Sequence, residues 1–307
     1  MANENFDRCT SFYVNNGAFL GRFVRLDKVV NTILEKHKYP LPVSGVVAES
    51  CALGVLLSSL LKYEGLFTLQ TKTSGPVNMV VVDVTSEGKV RACATFDDKH
   101  LQKSQALRKK SGELEESPHV MGGGYLAFTV DQGDKANLYQ GIVDLQGKNL
   151  SECAMRYFKM SEQVETYLQL YLESPRTDNE KWKAGGILLQ KIANEGGKHE
   201  FASDEEKNEA WNEAVVFAKS LQKDEVFNEN INEDDVLYRL YHNSGLVIGG
   251  KKNYEFRCRC NREKLLNTLK SFPREEIEKM AINNVITADC NFCAEHYVFE
   301  KGEIIAH

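Results

Sequence analysis

The chain has 307 residues, 42% hydrophobic and 27% charged, close to globular averages, which excludes collagen-like, low-complexity and wholly disordered chains. At roughly 150 residues per domain, this length predicts about two domains that need no disulfide scaffold. A net charge of −6 argues against a protein that works by neutralising nucleic-acid phosphates, so no nucleic-acid partner is expected.

Residues 1–5 show no basic region leading into an apolar run, which predicts no export signal and a cytoplasmic protein. Helical spacing over 26–38 predicts a helix stopped by Pro40 and Pro42. The apolar stretch 43–61 is interrupted by Ser44, Glu49, Ser50, Ser58 and Ser59. It falls short of the roughly 20 residues that span a bilayer, so it reads as a buried helix and no membrane is expected. Strands are expected at 67–71, Val77–Thr85 and 90–96, then a polar loop over 99–118, then strands at 125–130 and 138–145. Residues 149–172 alternate apolar and polar positions at helical spacing. Runs of strands and runs of helices without strict alternation predict an α+β fold.

Residues 203–235 hold eleven acids against three bases, a net −8. Trp211, Ala214, Val215, Ala218 and Leu221 recur at spacings of three and four, and Ser203 with Glu206 is placed as a capping box, so an amphipathic helix is expected. A shorter helix fits 234–243, with Gly245, Gly249 and Gly250 as punctuation after it. Next come two short helical stripes, Leu265, Leu266, Leu269 and Phe272, then Ile277, Met280 and Ala281. A hairpin is expected from 285–287 and 297–299. So small a terminal module cannot stand on apolar burial alone.

Cysteines supply the expected staple. Cys258 and Cys260 are separated by one residue and Cys290 and Cys293 by two, with 29 residues between the pairs. Two such pairs can turn four sulfurs onto one ion in the tetrahedral shell of a structural zinc site. Arg257, Arg259, Arg262 and Lys264 beside the first pair would offset the charge of four thiolates. If Cys290 and Cys293 formed a disulfide, two ligands would be lost and the module would unfold, since structural zinc contributes roughly 10–16 kcal/mol in small peptides. The residues alone leave an oxidisable centre and an inert structural zinc equally open.

At this point the chain resembles the heat shock protein 33 family of redox-regulated holdase chaperones. Cys258, Cys260, Cys290 and Cys293 match that family's cysteine motif position by position. Similar stretches include 12–26 (FYVNNGAFLGRFVRL), Gly123 to Leu126, Ala184 to Gly186 and Phe272 to Ile277. The resemblance implies an N-terminal α+β core over 1–200 that binds clients, a helical linker over 201–250 and a zinc-binding redox-switch domain over 251–307. It also implies one Zn2+ per chain in an inactive reduced monomer. Oxidation would pair Cys258 with Cys260 and Cys290 with Cys293, release zinc, unfold the linker and favour a homodimer that holds unfolding proteins without ATP. No enzymatic activity and no catalytic residue are expected.

Competing readings are a thiol–disulfide oxidoreductase using Cys290 and Cys293, and a zinc module binding nucleic acid through Arg257, Arg259 and Arg262. Gly122 to Gly124 lack the lysine of a phosphate loop. His296 is expected outside a shell that four sulfurs already complete. Cys9, Cys51, Cys93 and Cys153 read as inert core thiols, and Trp211 as a residue packed against the core.

Overall fold

A computed structural model describes residues 6–111, 121–132, 139–146, 149–177, 179–192, 201 and 203–305. Helix α2 (Leu41–Leu60) is apolar all round and buried from Val43 to Ser58, as a helix without a polar face must be. It is long and apolar enough to cross a membrane, yet 83% of that stretch is buried inside the protein. The sequence's expectation of a core helix holds.

Two sheets, one antiparallel and one antiparallel but for an edge strand, sandwich α2. The first has the order β10-β1-β2-β9-β8, built from β1 (Arg8–Val14), β2 (Phe19–Leu26), β8 (Thr166–Glu173), β9 (Lys183–Lys191) and β10 (Val247–Asn253). The second has the order β11-β5-β4-β3-β6-β7, from β3 (Leu66–Thr73), β4 (Val77–Thr85), β5 (Lys89–Phe96), β6 (Gly124–Asp131), β7 (Tyr139–Asp144) and β11 (Glu255–Phe256), which pairs in parallel with β5. Strand alternation sorts the side chains. Val24, Leu168, Leu188, Phe67, Val82 and Val90 face α2 in one core. Phe12, Phe19, Phe23, Ile187 and Leu189 line the far face of the first sheet in another. The Phe12 ring lies over Gly21, where a Cβ would come within 2.2 Å of it.

That far face is covered by α5 (Asp204–Ser220), α6 (Lys223–Val226) and α7 (Glu233–Tyr241), which bury Trp211, Ala214, Ala218, Leu221, Val226, Val236, Leu237 and Tyr241 against it. The expected cap is present, with Ser203 Oγ accepting the Glu206 amide at 3.2 Å. Trp211 packs edge-on against Phe19 with ring centroids 5.3 Å apart.

Several sequence expectations fail. The polar stretch 99–118 is not a loop at its start, where α3 (Asp98–Ser111) forms and buries Leu101. Residues 112–120 lie outside the described residues. The stretch 149–172 is helical only through α4 (Leu150–Tyr157), followed by a π-helical turn, Phe158–Glu162, and left-handed Gln163 at φ +55. Beyond it TYLQLYLE is strand β8, whose period-two burial of Leu168 and Leu170 was mistaken for helical spacing. Gly249 and Gly250 sit within β10 rather than after a helix, beside an irregularity in the β1 register where Ser11 donates to Gly250 O at 2.8 Å.

Candidate metal centre

After β11 the chain enters a module of α8 (Arg262–Lys270), α9 (Arg274–Met280), β12 (Val285–Asp289), β13 (His296–Glu300) and α10 (Lys301–Ile305). The expected hairpin is there, with Ile286 opposite Phe299 and Asp289 opposite His296. Among the described residues Ile277, Ile286, Phe299 and Ile304 form its buried core, with Leu265, Leu266 and Leu269 half-buried against it, a small apolar core for a module to stand on by itself.

Cys258 and Cys260 lie in the segment between β11 and α8, capped by Asn261, whose side chain accepts the Lys264 amide at 2.8 Å. Cys290 and Cys293 lie in the β12–β13 turn. Ala294 N donates to Cys290 O at 2.8 Å, Cys290 N donates to Glu295 O at 3.0 Å, and Ala294 takes φ +55. This tight turn aims both sulfurs at the first pair. All four Sγ atoms lie within 4.8 Å of one another. Cys258 is 3.3 Å from Cys260 and 3.6 Å from Cys290, and Cys260 is 3.4 Å from Cys293. Four sulfurs at about 2.3 Å from one tetrahedral ion sit about 3.8 Å apart, so the residues fit zinc. Among the described residues no other group of His, Cys, Asp or Glu gathers in this way.

The sulfurs share protons unequally. Burial pushes Cys258 up, but hydrogen bonds from the Cys260 amide and the neighbouring thiols outweigh it and bring its pKa down to about 7. Burial raises Cys260 and Cys293, and the neighbouring thiols hold the Cys293 proton further. A divalent cation relieves that competition by stabilising every thiolate. Tyr297 donates its hydroxyl to Cys260 Sγ at 3.2 Å. His296 is exposed and pairs with Asp289 at 2.7 Å, away from the shell.

Two expected roles are corrected. Arg259 reaches the outer face of the second sheet and pairs with Asp83 at 2.8 Å, and Arg262 pairs with Glu303 at 2.7 Å. Carboxylates take both guanidiniums because charge-assisted pairs outcompete a diffuse attraction to sulfur. The other four cysteines, Cys9, Cys51, Cys93 and Cys153, are buried free thiols. Burial pushes Cys9, Cys93 and Cys153 to about 11 and Cys51 to about 12, where thiolate is scarce.

The sequence reading missed what docks this module. Asp83 on β4 is 4% exposed. It receives Arg91 of β5 at 2.6 Å, Arg259 at 2.8 Å and the Thr68 hydroxyl at 2.7 Å. The Arg91 guanidinium stacks over the Phe292 ring at 3.8 Å, and His37 Nε2 meets Phe292 O at 3.2 Å. Arg259 and Phe292 are residues inside the two cysteine pairs, so the centre is held to the outer face of the second sheet. An acid within the apolar run VVVDVT was the available signal, but its partners lie 8 and 176 residues away.

One sheet face is roofed by acidic helices, and a four-thiol module docks on the opposite sheet. The family model described as Hsp33 protein matches residues 7–300, and the chain belongs to that family. Its curated relatives include a 33 kDa chaperonin of Caulobacter vibrioides, 31% identical over 293 residues, covering 95% of this chain and 94% of the relative. A 33 kDa chaperonin of Pseudomonas syringae pv. syringae is 32% identical over 302 residues, covering 98% and 93%. Among solved structures, the 33 kDa chaperonin of Thermotoga maritima shares the fold, with a TM-score of 0.77 at 21% identity over 97% of this chain and 96% of that one. A chaperone function follows from the family, and the relatives are named as chaperonins rather than enzymes.

Proposed function

We propose that this protein is an ATP-independent holdase switched by thiol oxidation, with Cys258, Cys260, Cys290 and Cys293 as both the zinc ligands and the switch. The observation that carries this reading is the gathering of four sulfurs within 4.8 Å in a module with four buried apolar residues. A zinc ion held there supplies a cross-link joining the two ends of the module. The four thiols give up four electrons and four protons to an oxidant such as peroxide, forming two disulfides that no longer present a donor set. Cys258 lies closest to Cys260, at 3.3 Å, which supports that pair; Cys260 and Cys293 are nearly as near, at 3.4 Å. The pairing Cys258–Cys260 and Cys290–Cys293 therefore rests on the resemblance to the family and is read out by mapping disulfide-linked peptides.

The route from module to linker runs through β11 and β10. The module docks on the second sheet while the linker covers the first, and residues 247–256 tie them by pairing with β1 and then β5. Melting the module frees β11, whose pairing spans two residues, and leaves α5–α7 anchored from one side. The freed sheet face then holds unfolding proteins, in a cytoplasmic protein that is a monomer when reduced and a homodimer when oxidised. The test compares reduced and oxidised protein for zinc content, free thiols and suppression of aggregation of a denatured client. One zinc with no suppression, then no zinc with suppression, is expected. Equal suppression in both states overturns the switch, and turnover of a small disulfide substrate would favour an oxidoreductase.

A further inference from the structure

We propose that the face of the first sheet beneath α5–α7 is a receptor for acidic amphipathic helical segments of client proteins, with Arg8 reading a client carboxylate in the place Glu233 fills and Arg25 taking client backbone carbonyls in the place of those of Asn228 and Ile231. The inference rests on the proposed function and adds the chemical class of the client.

The linker itself displays what the face accepts. Between 203 and 235 it carries a net −8. Among the described residues, ion pairs that cross from it to the core include Glu233 with Arg8 at 3.0 Å, Glu229 with Lys183 at 2.8 Å and Asp234 with Lys251 at 2.8 Å. Each puts the acid on the linker and the base on the core. Arg25 is fully buried, and Glu233 is 1% exposed. The Arg25 guanidinium donates to Asn228 O at 3.0 Å and to Ile231 O at 2.6 and 2.9 Å, and it stands 5.0 Å from the Phe6 ring and 5.9 Å from that of Phe23.

Once the linker lifts, Arg8 loses its carboxylate, and Arg25, which stands against two phenylalanines, loses the backbone carbonyls of Asn228 and Ile231. Arginine with aromatic side chains is the usual make-up of an interface hot spot. The apolar floor of Phe12, Phe19, Phe23, Ile187 and Leu189 accepts any amphipathic helix; the basic rim selects among them. An acidic helix regains what the linker gave up, whereas a basic one meets like charge.

The probe is a fluorescent synthetic peptide of residues 229–243, alongside one with Lys at its four acids, Glu229, Glu233, Asp234 and Asp235, and one carrying Glu233→Gln alone. Anisotropy is read on two forms of the full chain. One is oxidised wild type. The other is the reduced Leu237→Asp variant, whose linker is loosened from its apolar seat without altering the receptor; circular dichroism checks that its core is folded. The parent peptide is expected to bind at least about tenfold tighter than the lysine version, to weaken with salt, and to lose about tenfold or more with Glu233→Gln. Introducing Arg8→Gln should shrink that last difference. Equal binding of the parent and lysine peptides overturns the inference, as does no binding to either form. Selective binding to Leu237→Asp but not to oxidised wild type keeps the receptor and contradicts oxidation as what uncovers it.

Discussion

The contact between Asp83 and Arg259 predicts how the cysteine module is docked, and a double-mutant cycle can isolate it. Asp83→Asn keeps the volume of a side chain that is 4% exposed but removes the charge that faces Arg91 and Arg259. Loss of one partner from a buried pair typically costs about 3–5 kcal/mol. Most of that belongs to Arg91, whose side chain is 16% exposed and whose two contacts with Asp83 lie at 2.6 and 2.8 Å. Arg259 is 38% exposed, so solvent screening limits its share to about 1 kcal/mol or less, roughly a fivefold change in docking. Asp83→Asn, Arg259→Ala and the double variant are measured in the reduced, metal-loaded state by urea unfolding and by amide exchange over 285–300. The account expects a coupling energy near 1 kcal/mol and faster exchange in the module for each single variant. Strictly additive effects, with exchange of the module unchanged, would refute the docking role.

Further outcomes follow from the same geometry. Cys290→Ser should weaken zinc binding in competition with a chromophoric chelator and raise amide exchange across 258–300 without oxidant; unchanged affinity contradicts the four-sulfur shell. Trp211→Ala removes a ring packed edge-on against Phe19 and should destabilise the linker by about 3–5 kcal/mol in urea unfolding, leaving zinc affinity as it was. At pH 8 the thiols of Cys9, Cys93 and Cys153, held at about 11, and of Cys51, held at about 12, stay protonated. They should therefore resist iodoacetamide in the folded protein, and rapid labelling of any of them in native buffer would show that the core opens.

Patterns that depend on near neighbours were legible from the sequence. The apolar run of α2, the cap at Ser203, the acidic amphipathic face of α5 and the hairpin beside Cys290 all report local periodicity or spacing, and each appears where expected. Strand β8 was misread because a half-buried strand and a helix both place apolar residues at intervals that overlap over eight positions. Pairing of β10 with β1 joins residues more than 230 apart, and nothing in either segment announces the other. The same limit hid the docking site. The cysteine spacing showed which sulfurs could meet, while Asp83, Arg91 and His37 enter the site only through sheet register and the placement of α1 (Lys28–Glu35).

The most direct test is amide exchange of residues 203–241 in the full chain, followed alongside disulfide mapping as the protein is oxidised. The account predicts that protection of α5 and α7 collapses when Cys258–Cys260 and Cys290–Cys293 have formed, while α2 and β9 stay protected. A linker that remains fully protected with both disulfides in place would contradict it.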